Sequence, residues 1–398
     1  EARTVPPAPL IGPGLEADYL RRYLEALGRG QGGALMLRGE AGVGKSRLLE
    51  EVLRALPEPP VVHEIHCSET FQETTYWPVI EFLNRLLGLD PAAEEGERHA
   101  RLAEYVGENH PDPEAALARL ASLYRTRVGD GQRGPDDAAG AIPARLVGAT
   151  LAELLERAAG TRPLLLLVED VHWADSATCE FLNGVFHRAT DHPVLMVITA
   201  RPDFRPACDQ DIERLDLTPL EPADTRALAS AVAGGILDDE ALDLVVRFTD
   251  GIPLYVEETA RMLAAGGEAG DRLAIPETLQ DLLDARIHRL GRWLPVAQLA
   301  ASLGRNFQRE LLLAISPWEE ETLDHGLQAL LEEGVIEREQ GEGERLDTIR
   351  FRHALLQEAA YQSLLPADRK GVHAAIAGAL REQFPALARA HPEWVARH

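Results

Sequence analysis

The chain has 398 residues, of which 65 are acidic and 40 basic, and its formal net charge is −25. This length exceeds one ordinary domain, so two or three domains are expected. The negative charge argues against a broad nucleic-acid-binding surface and against an anionic membrane surface as partner, since both need clustered positive charge.

The cysteines and the two ends of the chain bear on its cellular compartment and on whether it is a fragment. No apolar run reaches the roughly 18 residues that span a bilayer, and no signal peptide is visible. The three cysteines are scattered and odd in number, which favours reduced thiols in a cytoplasmic protein. The chain starts at Glu1 and stops inside a helical pattern at His398, so we expect a fragment of a longer protein. Residues 1–10 are proline-rich and are predicted to be a linker.

The most specific pattern begins at Gly39 and ends at Ser46, and it fits G-x-x-x-x-G-K-[ST] without a mismatch. A short apolar run precedes it and an amphipathic segment follows, which predicts strand, phosphate loop and helix. The glycines let backbone N–H groups point inward around an anion. Lys45 supplies charge for the β- and γ-phosphates, and the Ser46 hydroxyl is placed to bind Mg²⁺. A glycine-rich turn with an incidental lysine is the alternative, but Lys45 is one of only two lysines in the chain.

A second strand is predicted over 61–67, and it contains His63, His66 and Cys67. A metal site is one interpretation of these residues. In an extended strand, however, His63 and His66 point to opposite faces, and no second ligand pair lies at zinc-like spacing. The favoured interpretation is therefore structural. Residues 77–125 are predicted to be helical, 127–140 a polar loop, and 143–159 a long helix.

Two further strands are predicted, and both end in polar residues. The apolar run 164–168 leads into Glu169 and Asp170. Its lack of alternation is typical of a strand buried on both faces of a parallel sheet. Acids at the carboxyl end of such a strand, beside a phosphate loop, hold Mg²⁺ and orient the attacking water. The run 194–200 is followed by Arg201, which can report an occupied γ-phosphate site.

After Leu215 the pattern is helical. Short strands near 334–337 and 347–351 follow several helices, an order that resembles a winged helix. The predicted fold is an α/β P-loop nucleoside triphosphatase domain with a parallel sheet flanked by helices at 11–218. An all-α lid is predicted at 219–274, a winged-helix domain at 275–365 and the truncated start of a helical region at 366–398.

The run Glu169-Asp170-Val171-His172-Trp173-Ala174-Asp175 resembles the STAND class of AAA-related ATPases. The phosphate loop, Thr199–Pro202, Gly251–Leu254 and Phe351–Leu356 extend the resemblance over nearly the whole chain. More narrowly, the chain resembles the predicted-ATPase modules found beside class III adenylate/guanylate cyclase domains and in large LuxR-type regulators. In such proteins the final segment leads into tetratricopeptide-like repeats.

The resemblance implies roles for particular residues. Glu169 and Asp170 would be the paired acids at Mg²⁺, with Asp170 aligning the water, and Arg201 would be a sensor. Pro253 in the lid would pack against adenine, and His353 would contact the β-phosphate of ADP; a histidine packed at a strand end is the alternative. The residues implied to bind ATP or ADP are Ile11, Gly12, Gly39, Glu40, Ala41, Gly42, Val43, Gly44, Lys45, Ser46 and Arg47.

The chain also departs from the family pattern. It has Gly12-Pro13 where many relatives carry Gly-Arg, and Glu169 where Asp is common. No separate arginine finger can be identified, so slow hydrolysis is expected without a partner that supplies one.

Several functions are compatible with these motifs. The favoured hypothesis is a signalling switch in which ATP binding and slow hydrolysis control a fused effector or protein partner, with oligomerisation on activation left open. The alternative is a scaffold that keeps ADP as a structural ligand and binds other proteins. A DNA-reading winged helix is disfavoured because its wing, 337–347, carries more acidic than basic residues. A small-molecule kinase is disfavoured because no acceptor site is evident.

Overall fold

A computed structural model describes residues 10–12, 14–68, 71–72, 74–89, 93–128, 142–205, 212–265, 278–338, 348–390 and 392–398. These residues divide into two compact units. The first unit is Gly12–Pro219, and the second is Leu220–His398 together with the described residues before Gly12. Several regions that the sequence analysis singled out lie outside the described residues. They are the predicted linker, Cys208, most of the predicted polar loop at 127–140 and most of the predicted wing.

The first unit is built on a parallel sheet. Its strands are β1 (Gly33–Arg38), β2 (Val61–His66), β3 (Leu164–Glu169), β4 (Val194–Ala200) and β5 (Glu213–Asp216). Their order in the sheet is β2-β3-β4-β1-β5, and every neighbouring pair is parallel. The predicted α/β fold with a parallel sheet is therefore confirmed. The short edge strand β5 was not predicted, because its alternation is weak and its side chains are mostly exposed.

Helices cover both faces of this sheet. They are α1 (Gly14–Gly28), α2 (Lys45–Arg54), α3 (Trp77–Leu86), α4 (Glu95–Asn109), α5 (Pro113–Val128), α6 (Ala144–Ala159) and α7 (Ser176–Asp191). On one face Met196 and Ile198 pack into the cluster that contains α6 and α7. On the other face Leu195 and Val197 are equally buried, and α1 packs against β4. Burial on both faces explains why β3 and β4 show no polar alternation.

The region 77–125 was predicted as one helical stretch, and it forms three helices. Gly88 follows α3 with φ of 65°, a left-handed backbone that ends helices. Pro113 begins α5, where a missing N–H costs nothing. The helical character was thus predicted correctly, but the breaks were not.

The second unit is mostly helical. Its helices are α8 (Pro222–Val232), α9 (Asp239–Phe248), α10 (Pro253–Ala265), α11 (Leu279–His288), α12 (Leu294–Leu303), α13 (Arg309–Ile315), α14 (Glu320–Glu332), α15 (Ala354–Gln362), α16 (Pro366–Glu382), α17 (Pro385–Ala390) and α18 (Pro392–Arg397). Helices α8 to α10 share one hydrophobic cluster, and α11 to α15 share another. The predicted winged-helix and repeat assignments stay predictions.

A small antiparallel sheet accompanies α11 to α15. Its strands are β6 (Asn306–Gln308), β7 (Ile336–Arg338) and β8 (Thr348–Phe351), in the order β6-β8-β7. The pairing of β7 with β8 is the hairpin expected from the sequence. Strand β6 was missed because three residues carry too little pattern. Among the described residues of both units, no helix is long and apolar enough to cross a membrane.

Candidate functional site

The phosphate loop joins β1 to α2, and its backbone requires glycine. Gly42 and Gly44 have φ of 81° and 98°, in the left-handed region that glycine adopts without strain. A Cβ on Gly39 would lie 2.6 Å from Val43 Cγ1 and 3.0 Å from the Leu217 carbonyl oxygen. Gly44 caps α2 without a side-chain acceptor, so the positive end of this helix faces the loop. The loop therefore has the backbone form of an anion cradle.

Lys45, the first residue of α2, turns its side chain back over this loop. Its Nζ donates to the carbonyl oxygens of Gly39, at 2.8 Å, and Glu40, at 3.0 Å. Burial lowers the pKa of Lys45, and the carboxylates of Asp170 and Glu40 oppose that effect. The ammonium group is thus held between the loop and the acid that follows β3.

Ser46 and Glu169 are in direct contact. The Ser46 hydroxyl donates to Glu169 Oε1 at 2.7 Å, and the second carboxylate oxygen, Oε2, lies 2.9 Å from His66 Nδ1. The other ring nitrogen of His66 lies 3.3 Å from Glu64 Oε2. Burial lowers the pKa of His66, but its hydrogen bonds to Glu169 and Glu64 outweigh that effect and raise the pKa overall. Glu169 is therefore fixed at both carboxylate oxygens.

Asp170 leaves β3 with a left-handed backbone, with φ of 55° and ψ of 43°. Its N–H donates to Thr199 Oγ1 at 2.9 Å, and Thr199 is buried in the neighbouring strand β4. Asp tolerates this backbone conformation better than most residues. The negative charge of Asp170 acts on the Lys45 ammonium and opposes the lowering of the Lys45 pKa by burial.

Arg201 follows β4, which lies between β1 and β3 in the sheet. This strand order places Arg201 between the phosphate loop and the paired acids. Its guanidinium carbon lies 5.3 Å from the centre of the Trp173 ring, a cation–π distance. Trp173 belongs to a single 3₁₀ turn, Val171–Trp173, that follows Asp170. Trp173, which belongs to the run Glu169–Asp175, thus helps to hold Arg201, the predicted sensor.

Two other residues of the run Glu169–Asp175, Asp175 and His172, have different surroundings. Asp175 caps α7 by accepting from the N–H groups of Ala177 and Thr178 at 3.0 Å. Its other oxygen accepts from the Tyr76 N–H, at 3.2 Å, at the start of α3. His172 is different, because both ring nitrogens are hidden from solvent without a hydrogen-bond partner. Burial lowers its pKa, so the ring is neutral at pH 7.

The residues present fit a magnesium-bound nucleotide. Ser46 and Glu169 offer hard oxygen donors side by side at the end of the anion cradle. In the part of the chain that the structure describes, no three His, Cys, Asp or Glu side chains are arranged to hold a metal ion. A Mg²⁺ ion at Ser46 would therefore complete its coordination with phosphate oxygens and water, as is usual for this ion.

The strand β2 places the candidate metal ligands from the sequence in separate surroundings. The His63 ring packs edge-on against Phe82, with ring centres 5.7 Å apart, whereas His66 bonds with Glu169. The Cys67 thiol is buried, and burial raises its pKa.

Other predicted site residues lie elsewhere. Ile11 packs against the α8–α10 cluster, Pro253 begins α10, and His353 immediately precedes α15, all in the second unit. Gly12, with φ of 105°, forms a turn in which its carbonyl accepts from Gly14 N–H at 2.7 Å. Arg47 lies 3.8 Å from Glu51 one turn along α2. Their nucleotide contacts stay predictions.

Two residues at the site were not identified as site residues from the sequence. His66 was weighed only as a metal ligand, and Thr199 was noted only as part of the resemblance. Their partners lie on neighbouring strands, so no local pattern reveals the contacts. The available signal was position, since both residues stand at the carboxyl end of a predicted parallel strand, where ligands bind.

Residues 9–198 match the family model of the AAA ATPase domain. An uncharacterized protein of Rhizobium meliloti (strain 1021) is 26% identical over 381 residues, which are 92% of this chain. A Signal Transduction ATPase with Numerous Domains (STAND) from Pyrococcus horikoshii, with a tetratricopeptide repeat sensor, matches 97% of the chain with a TM-score of 0.54 and 14% identity. The Walker-type ATPase of Pyrococcus abyssi matches 88% with a TM-score of 0.41 and 15% identity.

Two of these relatives are longer than this chain. The chain spans 36% of the Rhizobium protein and 49% of the Pyrococcus horikoshii chain. At 14% identity the match to the Pyrococcus horikoshii chain shows a shared fold. The family model thus supports an AAA-type ATPase domain, and the Pyrococcus horikoshii match supports a shared fold. Membership of the STAND class and the narrower likeness to cyclase-linked and LuxR-type modules stay predictions.

Proposed function

We propose that this chain is the nucleotide-driven switch module of a larger signalling protein. It binds ATP with Mg²⁺, hydrolyses it slowly, and transmits its nucleotide state to a fused effector or protein partner in the cytoplasm. One observation carries the proposal: Lys45, Ser46, Glu169, Asp170 and Arg201 converge at the carboxyl edge of one parallel sheet. The fold shared with a signal transduction ATPase supports signalling as its use.

In this proposal each residue has a defined part. The loop N–H groups and Lys45 hold the phosphates, and Ser46 and Glu169 hold Mg²⁺, which neutralises phosphate charge when bound. Asp170 orients the attacking water and accepts its proton. Arg201 reports the γ-phosphate from the end of β4. Without an arginine finger, turnover is slow, which suits a switch.

The second unit would read the nucleotide state. Pro253 and His353, as the resemblance implies, would contact adenine and the β-phosphate of ADP. A switch works only if ATP and ADP favour different arrangements with different affinity, because a ligand shifts an equilibrium only by its differential binding.

Two substitutions test the proposal in the full-length protein. Lys45→Ala is expected to abolish nucleotide binding and to change the output of the effector. Asp170→Asn is expected to retain binding while turnover falls by about 10²–10⁴-fold, the usual contribution of a positioned base. Lys370→Ala is the matched control, because Lys370 is the other lysine and is exposed on α16. An unchanged output after Lys45→Ala, with binding lost, would overturn the switch.

The scaffold with structural ADP is the second candidate, and the acidic composition, suited to protein binding, favours it. It predicts tightly held ADP and no turnover in the unmodified protein. Measuring hydrolysis before and after Asp170→Asn therefore separates the two functions: a rate that falls supports the switch, and a rate near zero in both supports the scaffold.

A further inference from the structure

The acid at position 169 is one methylene longer than the aspartate that is common in this place, and an added rotatable bond must be restrained if its carboxylate is to stay in one position. Both carboxylate oxygens are engaged. Oε1 accepts from Ser46 Oγ at 2.7 Å, and Oε2 lies 2.9 Å from His66 Nδ1. The Glu169 side chain is 11% exposed, so an unpaired oxygen there would be costly.

The position of His66 is set by the sheet. His66 pairs directly with Glu169 in the register of β2 and β3, and the N–H of the next residue, Cys67, donates to the Glu169 carbonyl oxygen at 2.9 Å. Glu64, two residues earlier on the same face of β2, lies 3.3 Å from the far nitrogen of the ring. The ring is therefore held from both sides, in the order Glu64, His66, Glu169, Ser46.

We propose that His66 is a positioning residue for the magnesium site, holding the Glu169 carboxylate so that Oε1 faces Ser46. The inference rests on the proposed function, since it concerns how this chain prepares to bind Mg²⁺ with ATP. The Nδ1–H group of His66 donates to Oε2 and removes the rotational freedom that the longer side chain introduces. Groups that orient a metal ligand in this way commonly contribute a factor of about 10–100 to metal affinity.

The test measures ATP affinity with Mg²⁺ and with EDTA in three variants of this chain. His66→Ala removes the donor, and we expect it to weaken ATP binding by about 10–100-fold in Mg²⁺ while leaving affinity in EDTA unchanged. His66→Asn places an amide N–H where Nδ1 stood, and we expect it to restore most of the Mg²⁺-dependent gain. His63→Ala is the matched control, because His63 is on the same strand but packs against Phe82.

The outcomes separate the possible failures. If His66→Ala keeps the full gain from Mg²⁺, or loses affinity equally in both buffers, or is not rescued by His66→Asn, the positioning role is wrong. A loss of the Mg²⁺ gain in His63→Ala as large as in His66→Ala would also overturn it. If the unmodified protein binds no ATP in either buffer, the proposed function itself fails and the inference fails with it. Unfolding transitions of each variant, measured in parallel, show that the compared proteins are folded.

Discussion

The backbone of Asp170 depends on a single side chain of the next strand. With φ of 55°, its N–H turns away from the parallel ladder and donates to Thr199 Oγ1 instead. Thr199 is 2% exposed, so water cannot replace this acceptor. The direction in which the Asp170 carboxylate leaves β3 is consequently set by the Thr199 hydroxyl.

Thr199→Val keeps the shape of the side chain and removes the acceptor. Leaving the Asp170 N–H unpaired is expected to lower the free energy of unfolding by about 1–3 kcal/mol. Hydrolysis should fall because the carboxylate is no longer aligned, whereas ATP affinity should persist. Denaturant unfolding and turnover assays measure both effects. Thr178→Val is the control, since Thr178 is also buried but bonds Asp175; a wild-type rate in Thr199→Val would contradict the prediction.

For single residues, the sequence predicts a functional role when the residues that define it lie in one short segment. Lys45 and Ser46 are predictable because their spacing to the loop glycines is what the phosphates require. The Ser46–Glu169 contact is implied by the pairing of the two motifs. The contacts of His66 and Thr199 are not predictable, because they arise from the β2–β3 and β3–β4 registers, which depend on tertiary packing.

At the scale of elements, helices α6 and α7 pack through glycine. A Cβ on Gly148 would lie 1.9 Å from the Phe181 carbonyl oxygen, and one on Gly184 would lie 1.7 Å from the Arg145 carbonyl oxygen. Two backbones this close leave no room for a methyl group. Because Asp175 caps α7 directly after the site loop, this packing also restrains the loop that carries Trp173.

Gly148→Ala is expected to force α6 and α7 apart and to lower the free energy of unfolding by about 3 kcal/mol, since the obstacle is backbone rather than a flexible side chain. Gly107→Ala is the matched control, because Gly107 is exposed in α4 with open space around its Cα. That change should stabilise the protein by about 0.5–1 kcal/mol. Denaturant titrations of both variants test the contrast, and equal effects would refute a close helix contact.

The helices themselves follow from periodicity, and their contacts do not. The apolar stripe of α6 predicts a buried face without naming the partner that covers it. Gly148 and Gly184 lower helix propensity, so from the sequence alone they would be expected to destabilise α6 and α7. Their close approach to the opposite backbone explains why glycine is needed there.

At the scale of the whole molecule, positive charge is scarce but locally concentrated. Within the second unit, Arg286 and Arg261 both bond the carboxylate of Glu258, which is 2% exposed. Arg286 also donates to the carbonyl oxygen of Glu333 at 2.7 Å. The bulk charge of −25 therefore gives no indication that arginines gather around the buried Glu258.

His353 lies among these charges. Burial, followed by the positive charges of Arg286, Arg352, Arg305 and Arg261, lowers its pKa to about 3. In the unfolded chain a histidine has a pKa of about 6.5. Below pH 6.5 the unfolded chain therefore takes up a proton that the folded unit does not. Stability from this group is fully present above pH 6.5 and is lost progressively as the pH falls towards 3.

At pH 5 this difference amounts to about 2 kcal/mol of unfolding free energy relative to pH 7. His353→Gln carries no titrating ring, so its stability should fall less over the same interval, by about that amount. Denaturant unfolding of both proteins at pH 7 and pH 5 measures the difference, and the comparison cancels carboxylates that titrate in both. Parallel losses in the two proteins would mean that the folded unit accepts a charged His353, and the arginines around it would then need another anion to balance them.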